Sequence, residues 1–281
     1  MLYTSTARFD TTHVLSEDEL FRLAPSVFAT TAHESRSERF KPIPTIEIVR
    51  GLAKEGFQVV GATQGKTRVE GKEDFTKHLL RIRRVDAADK YKVGDNVLEM
   101  YLKNANDGTA AYELMAGMFR IRCMNSLVTK TSTLDEIKVR HSGDAIGKVI
   151  EGTYEVLKSA ETVLQAPEAW GAINLNRRAA LALAKGAHVM RFGDSDGNTT
   201  TAIEPEQLLI PRRAEDLPTD LWTTFNVIQE NAIRGGLEGV TYNDAGMRRK
   251  SRTRGITGID QSVQFNKALW QLTETLAGMV A

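Results

Sequence analysis

The sequence predicts an α+β chain: an N-terminal antiparallel β-meander with short helices, followed by a mainly helical C-terminal half. Three observations carry this. Between Phe75 and Val128 the segments FTKHLLRIRR, VLEMYLKN and YELMAGMFRIRCMNSLV alternate apolar and polar residues with a period near two. From about Gly143 the apolar residues Ile146, Val149, Ile150, Leu157 and Leu164 recur at intervals of three, four or seven, the spacing of one face of a helix. Strand-like segments come first and helix-like ones after, rather than interleaved as in a parallel α/β fold.

The elements follow in order. Ser16 and Glu19 form a capping-box pair that opens a helix from Glu17 to Ala24, closed near Pro25. The charged stretch 31–41 reads as a surface loop or arm. After Pro42-Ile43-Pro44, Thr45 caps a helix from Ile46 to Glu55, ended by Gly56. Phe57 to Thr63 is apolar and β-branched, a strand leading into the meander. The meander's turns are Val93-Gly94-Asp95-Asn96 and Asn104 to Gly108. Lys130 to Ser142 carries no assignment. The amphipathic helix from Gly143 ends before Pro167, and a second helix runs from Leu175 to Met190. Arg191 to Thr201 is a loop by composition. Helix signals resume at Glu204 to Leu209 and from Thr219 to Arg234, with Thr219 as the cap. The glycine-rich stretch Gly235 to Gly258 is the least core-like part of the chain, and a final helix carries Ile259, Val263, Leu269, Trp270, Leu272 and Leu276. Residues 1–166 make up the α+β domain; residues 167–281 are a helical region, open to being a separate lobe.

A chain of 281 residues with 41% hydrophobic content can bury a full core in one large domain or two small ones. Its net charge of +1 means that any attraction to a polyanion must come from a local patch. The single cysteine, Cys123, argues for a reducing compartment and against a disulfide or cysteine-based metal site. No apolar run approaches the roughly 20 residues that span a bilayer, and the first twenty residues lack the pattern of a secretory signal. A cytoplasmic protein without a membrane partner is expected.

Strand parity supplies the candidate site. With the apolar sets Leu80/Ile82, Leu98/Met100/Leu102 and Phe119/Ile121/Cys123 turned to a core, the outward face carries Lys77, Arg81, Arg83, Lys103, Arg120 and Arg122, with Tyr101 among them and Glu99 as its one acid. Such a face suits a single-stranded nucleic acid, cations tracking phosphates and the ring stacking on a base; a merely solvated sheet face gives the same pattern. The run Met247 to Arg254 adds Arg248, Arg249, Lys250, Arg252 and Arg254, able to wrap a phosphate backbone or simply to form a solvated loop.

Motifs for other chemistry fail on spacing. Gly65-Lys66-Thr67 lacks the glycine five residues before Gly65 that a phosphate loop needs, and no apolar-periodic helix follows it. Asp194, Asp196 and Asn198 open like a calcium loop, but its sixth position is Thr199 and its twelfth Pro205. The five histidines form no metal-spaced pair, and neither a nucleophile elbow nor H-E-x-x-H occurs. No catalytic residue, metal ligand or cofactor is expected.

Several of these residues together resemble a known family. Pro44-Thr45, Gly56-Phe57, Lys77 to Arg81, Asn104 to Gly108, the run Phe119-Arg120-Ile121-x-Cys123-x-Asn125-Ser126-Leu127, Thr253-Arg254-Gly255-Ile256 and Asn266 to Trp270 are similar in order to a phage- and plasmid-borne family catalogued as a domain of unknown function, number nine-three-two. The resemblance spans Ile43 to Ala277, with Ser126 where that family usually has glycine. Its mobile-element setting points to DNA metabolism, and a curved meander followed by a long helix is similar to the core of ring-forming single-strand annealing proteins. The expected function is therefore ATP-independent binding and annealing of single-stranded DNA by a homo-oligomer, a ring among its forms. Lys77, Arg81, Arg83, Arg120 and Arg122 would hold phosphates, Tyr101 would stack, and 248–254 would clamp. The alternative is an interaction protein that modulates a host restriction or replication factor by protein–protein binding; a hydrolase with an unfamiliar site near Asp107 is a third option.

Overall fold

Changes of backbone period along the chain, from helix to strand and back and then once more around a hairpin, separate the elements that build this α+β protein. The computed structural model describes residues 13–84, 96–120, 126–128, 137–139, 145–159, 161–194, 201–242 and 247–280. It divides into two compact units, Met1–Arg122 with Thr133–Glu161, and Cys123–Ser132 with Thr162–Ala281.

The first unit contains α1 (Glu17–Leu23), α2 (Thr45–Lys54), β1 (Phe57–Gln64), β2 (His78–Arg84), β3 (Asn96–Asn104) and β4 (Tyr112–Arg120). The second begins with the short β5 (Ser126–Val128); β6 (Ile137–Val139) and α3 (Ala145–Ser159) return to the first. Strands β1 to β4 pair consecutively and antiparallel, and β6 joins the far side of β4. At the entrance, the Ser16 hydroxyl accepts from the Glu19 amide and the Glu19 carboxylate accepts from the Ser16 amide, the reciprocal pairing that the S-x-x-E spacing predicts.

Thr45 is not a cap. Pro44 occupies that position without a side-chain bond, and the Thr45 hydroxyl instead serves a buried polar cluster. There, His78 Nδ1 lies 2.9 Å from Ser26 Oγ, His78 Nε2 lies 2.9 Å from Thr45 Oγ1, and Asn104 Nδ2 donates to Thr45 Oγ1 and to the Ile43 carbonyl. This cluster ties α2 and the short helix at Pro25–Phe28 to one face of the sheet. Burial pushes the His78 imidazole down from 6.5 to about 4, so the folded chain holds it neutral. Between those values the unfolded chain binds a proton that the folded chain refuses, so stability is complete above about pH 6.5 and is lost as pH falls toward 4. At pH 5 the loss from this group is about 2 kcal/mol relative to pH 8, and a His78→Gln variant should show that much less acid sensitivity in urea denaturation.

The periodic stretch after Gly143 is described as α3 and as α4 (Glu161–Gly171), with residue 160 outside the described residues, and α4 contains Pro167 instead of stopping before it. An interior proline costs a backbone hydrogen bond. Packing offsets that cost, because Trp170 on the following turn sits with its ring centroid 4.4 Å from that of Trp270 and 5.7 Å from that of Phe225.

The second unit continues with α5 (Arg177–Phe192), α6 (Leu221–Arg234), β7 (Glu238–Tyr242), β8 (Arg248–Arg252) and α7 (Ile259–Val280). Side-chain caps come from Asn176 for α5 and from Asp220, not Thr219, for α6. Helix α6 is buried from Leu221 to Ala232, and its Gln229 amide donates to Asn266 of α7 at 2.8 Å. Close helix approach explains Gly186: a Cβ there would lie 2.5 Å from Leu272 Cδ2.

Part of the glycine-rich stretch is strand. Strands β7 and β8 form an antiparallel hairpin, pairing Glu238 with Arg252, Val240 with Lys250 and Tyr242 with Arg248. Glycine is required just before it: Gly235 has φ 63 and ψ −148, a region that side chains avoid, and a Cβ would lie 2.6 Å from the Arg254 carbonyl carbon. Gly235→Ala should cost about 1–3 kcal/mol, read as a lower unfolding midpoint.

Candidate functional site

The basic face that strand parity predicts on the meander does not exist as one surface. Register places Leu80 opposite Leu102, Leu102 opposite Leu114, and Met100 between Ile82 and Ala116, so the even-numbered positions of β4 share the apolar face. Position 120 pairs with Asn96 and belongs to that same face, whereas Arg81, Arg83, Glu99, Tyr101 and Lys103 lie on the opposite one. Position 119 pairs with Val97 and so shares the face of Glu99 and Tyr101 rather than that of Leu102 and Leu114, and its side chain lies outside the described residues. The side chain of Arg120 and the whole of Arg122 lie outside the described residues.

Of the remaining cations of this face, Arg83 and Lys103 are buried, Arg81 is largely so, and all three meet a carboxylate. Arg81 donates from Nε and Nη2 to the two Glu99 oxygens at 2.7 and 2.8 Å, and Arg83 Nε lies 3.8 Å from Glu99 Oε1. The Tyr101 hydroxyl donates to the same carboxylate at 3.4 Å, and that ring is 0% exposed, with no face left for a base. Lys103 Nζ sits 2.7 Å from Glu113 Oε2. Gly61 belongs to the arrangement, because a Cβ there would crowd Arg81 Cδ at 3.2 Å. Lys77, just ahead of β2, is half-buried. Arg81, Arg83, Tyr101 and Lys103 therefore form an internal ionic layer rather than a phosphate-binding face. The missed signal was Glu113: cross-strand register sets it opposite Lys103.

Asp107 closes the β3–β4 turn. Its Oδ1 accepts from the Thr109 amide and hydroxyl, and its Oδ2 lies 3.3 Å from Lys72 Nζ.

The second basic feature stands differently. On β8, alternation puts Arg248, Lys250 and Arg252 on one side of the hairpin and Ser251 on the other. Gly239, the partner of Ser251, faces the body of the unit so closely that a Cβ would lie 2.0 Å from the Ala202 carbonyl oxygen. The three cations consequently face away, and all are exposed, as is Arg254. No carboxylate ion-pairs with any of the four among the described residues, although Glu238 stands across the ladder from Arg252. The side chain of Arg249 lies outside the described residues.

Beyond β8 the chain is stitched back along the end of α6. The Thr253 amide donates to the Leu237 carbonyl, the Gly236 amide to Thr253, and the Ile256 amide to Ile233, all at 2.8 to 2.9 Å. Gly255 permits this, since a Cβ would lie 2.9 Å from the Arg234 carbonyl oxygen. The turn leaves an open cleft of about 320 Å³, lined by Arg191, Phe192, Ser251, Arg252, Thr253 and Arg254 among others. Arg191 is half-buried there and donates to the carbonyls of Ala232 and Arg254, not to a carboxylate. Burial pulls its guanidinium below the ordinary arginine range. The guanidinium also lies over the Phe192 ring, 4.9 Å from its centroid; a partly desolvated cation held by carbonyl dipoles and a ring face is further stabilised by an anion. By contrast Glu230, buried on α6, is already occupied by Arg213 and Arg234.

The sequence profile of a domain of unknown function, DUF932, matches residues 32–270. Two proteins of Escherichia coli (strain K12), UPF0380 protein YafZ and UPF0380 protein YfjQ, are each 44% identical to the chain over 262 residues, covering 93% of it and 91% of their own length. No solved structure matches it. Among the described residues, no helix is long and apolar enough to cross a membrane.

Proposed function

Because this chain belongs to the DUF932 family, whose description carries no activity, we propose from its own geometry that it binds the phosphate backbone of single-stranded DNA along β8 and the adjoining cleft. The observation that carries this is the row Arg248, Lys250 and Arg252 on the outward face of β8, continued by Arg254 at the cleft. Alternate residues on a strand stand about 6.6–6.8 Å apart, the same order as successive phosphates on an extended strand. One row of cations ending in a concavity suits one backbone, whereas a duplex spreads its charge over two strands.

Neutralising the backbone leaves base edges free to pair. The reading therefore extends to ATP-independent annealing of complementary strands by a homo-oligomer, a reaction needing no covalent chemistry.

Fluorescence anisotropy with a labelled oligothymidylate tests the proposal. Four phosphate contacts should give a slope of log K against log salt near −2.8, at about 0.7 per contact. Absence of binding at low salt removes the reading and leaves the protein–protein alternative, in which β8 meets an acidic protein surface.

A further inference from the structure

A second hollow, of about 230 Å³, lies in the same unit and shares Arg191 with the cationic cleft. Its character is different. Met190, Ile256, Ala268 and Phe265 give it somewhat more apolar than polar surface, and two glutamines, Gln261 and Gln264, bring amide groups to it. These glutamines are three residues apart on α7, so they project from neighbouring positions on one helical face. Both are exposed, and neither amide makes a side-chain hydrogen bond among the described residues. Met190 is 41% exposed, so the apolar surface is reachable from solvent.

A cleft offering guanidiniums, joined through one shared arginine to an apolar hollow edged by free amides, matches the two halves of a nucleotide. The phosphate needs cations. A base needs apolar contact on its faces and a donor and an acceptor at its edge, which each glutamine amide supplies. We infer that the two hollows together form a nucleotide site: a phosphate sits against Arg191, Arg252 and Arg254, and its base enters the hollow between Met190 and Ile256, met at its edge by Gln261 and Gln264. This inference rests on the reading of β8 as a phosphate track and adds that the protein holds one base rather than the backbone alone. Bases along β8 stay free to pair while one is held at its end.

The test compares an oligothymidylate with an abasic deoxyribose-phosphate strand of equal length, by anisotropy, for the wild type and for a Gln261→Ala/Gln264→Ala variant. The wild type should bind the base-bearing strand about tenfold more tightly, the order of a single base–protein contact. The variant should bind both strands equally, at the abasic strand's affinity and with the wild-type salt slope, because no cation has been removed. Equal affinity of the wild type for both strands, with salt-dependent binding intact, overturns the base site and leaves the backbone reading standing. A tenfold preference surviving in the variant also overturns it, and absence of binding to either strand overturns both readings. Competition with thymidine monophosphate identifies the source of the nucleotide. Displacement at the oligonucleotide's own concentration makes it a free nucleotide, and weak displacement makes it part of a strand; the site stands in both cases.

Discussion

Glu99→Ala should destabilise the first unit by about 3–5 kcal/mol, the scale for removing one partner of a buried ion pair. Glu99 is 1% exposed and takes two hydrogen bonds from Arg81, one from Tyr101 and the charge of Arg83. Without it, two guanidiniums remain in the sheet interior without that carboxylate, and desolvated cations cost far more than the space left by a side chain. Urea denaturation followed by circular dichroism reads the loss. A triple variant, Arg81→Met/Arg83→Met/Glu99→Leu, distinguishes charge from packing: it should recover most of the stability, since apolar residues of similar volume often replace a buried ionic cluster without net cost. Failure of the triple variant to recover would mean that the layer is held by its hydrogen-bond geometry and not by charge balance.

The triple variant Arg248→Ala/Lys250→Ala/Arg252→Ala should weaken oligothymidylate binding at 0.1 M salt by about 10²-fold and reduce the salt slope by about 2, at roughly 0.7 per phosphate contact. All three side chains are exposed, so the fold should be unaffected. The pairing with the first prediction is informative. Restoring neutrality inside the meander should leave the salt slope unchanged, whereas a slope that falls in the meander variant and not in the β8 variant would return the phosphates to the sheet and sink the proposal. Affinity alone does not make this distinction, because an unfolded chain also binds poorly; the slope counts contacts.

Sequence alone reached as far as local periodicity reaches. The meander, the capping box at Ser16 and Glu19, the strand at Phe57 and the long closing helix were all legible, because backbone period, cap chemistry and the positive φ of Gly56 are decided within a few residues. Membership of the family was legible as well, through short motifs spread over most of the chain. Boundaries that depend on packing were not. Pro167 lies inside a helix because Trp170 is anchored among other aromatics, and Thr45 is drawn away from capping by His78 and Asn104, residues distant in sequence.

For the candidate site the division is sharper. The sequence by itself determined which residues carry charge, which face of β2 and β3 each occupies, and that a dense cationic run precedes the last helix. Only the tertiary structure decided which of those charges meet water. Charge is a property of a residue, but exposure and counter-ions are properties of tertiary pairing: Glu113 opposite Lys103 and Glu99 ion-paired with two arginines close the meander's cations into an internal layer. Along β8, register sets Val240 and Tyr242 opposite Lys250 and Arg248, and Gly239 seats the other face of the hairpin against Ala202, which leaves Arg248, Lys250 and Arg252 facing solvent.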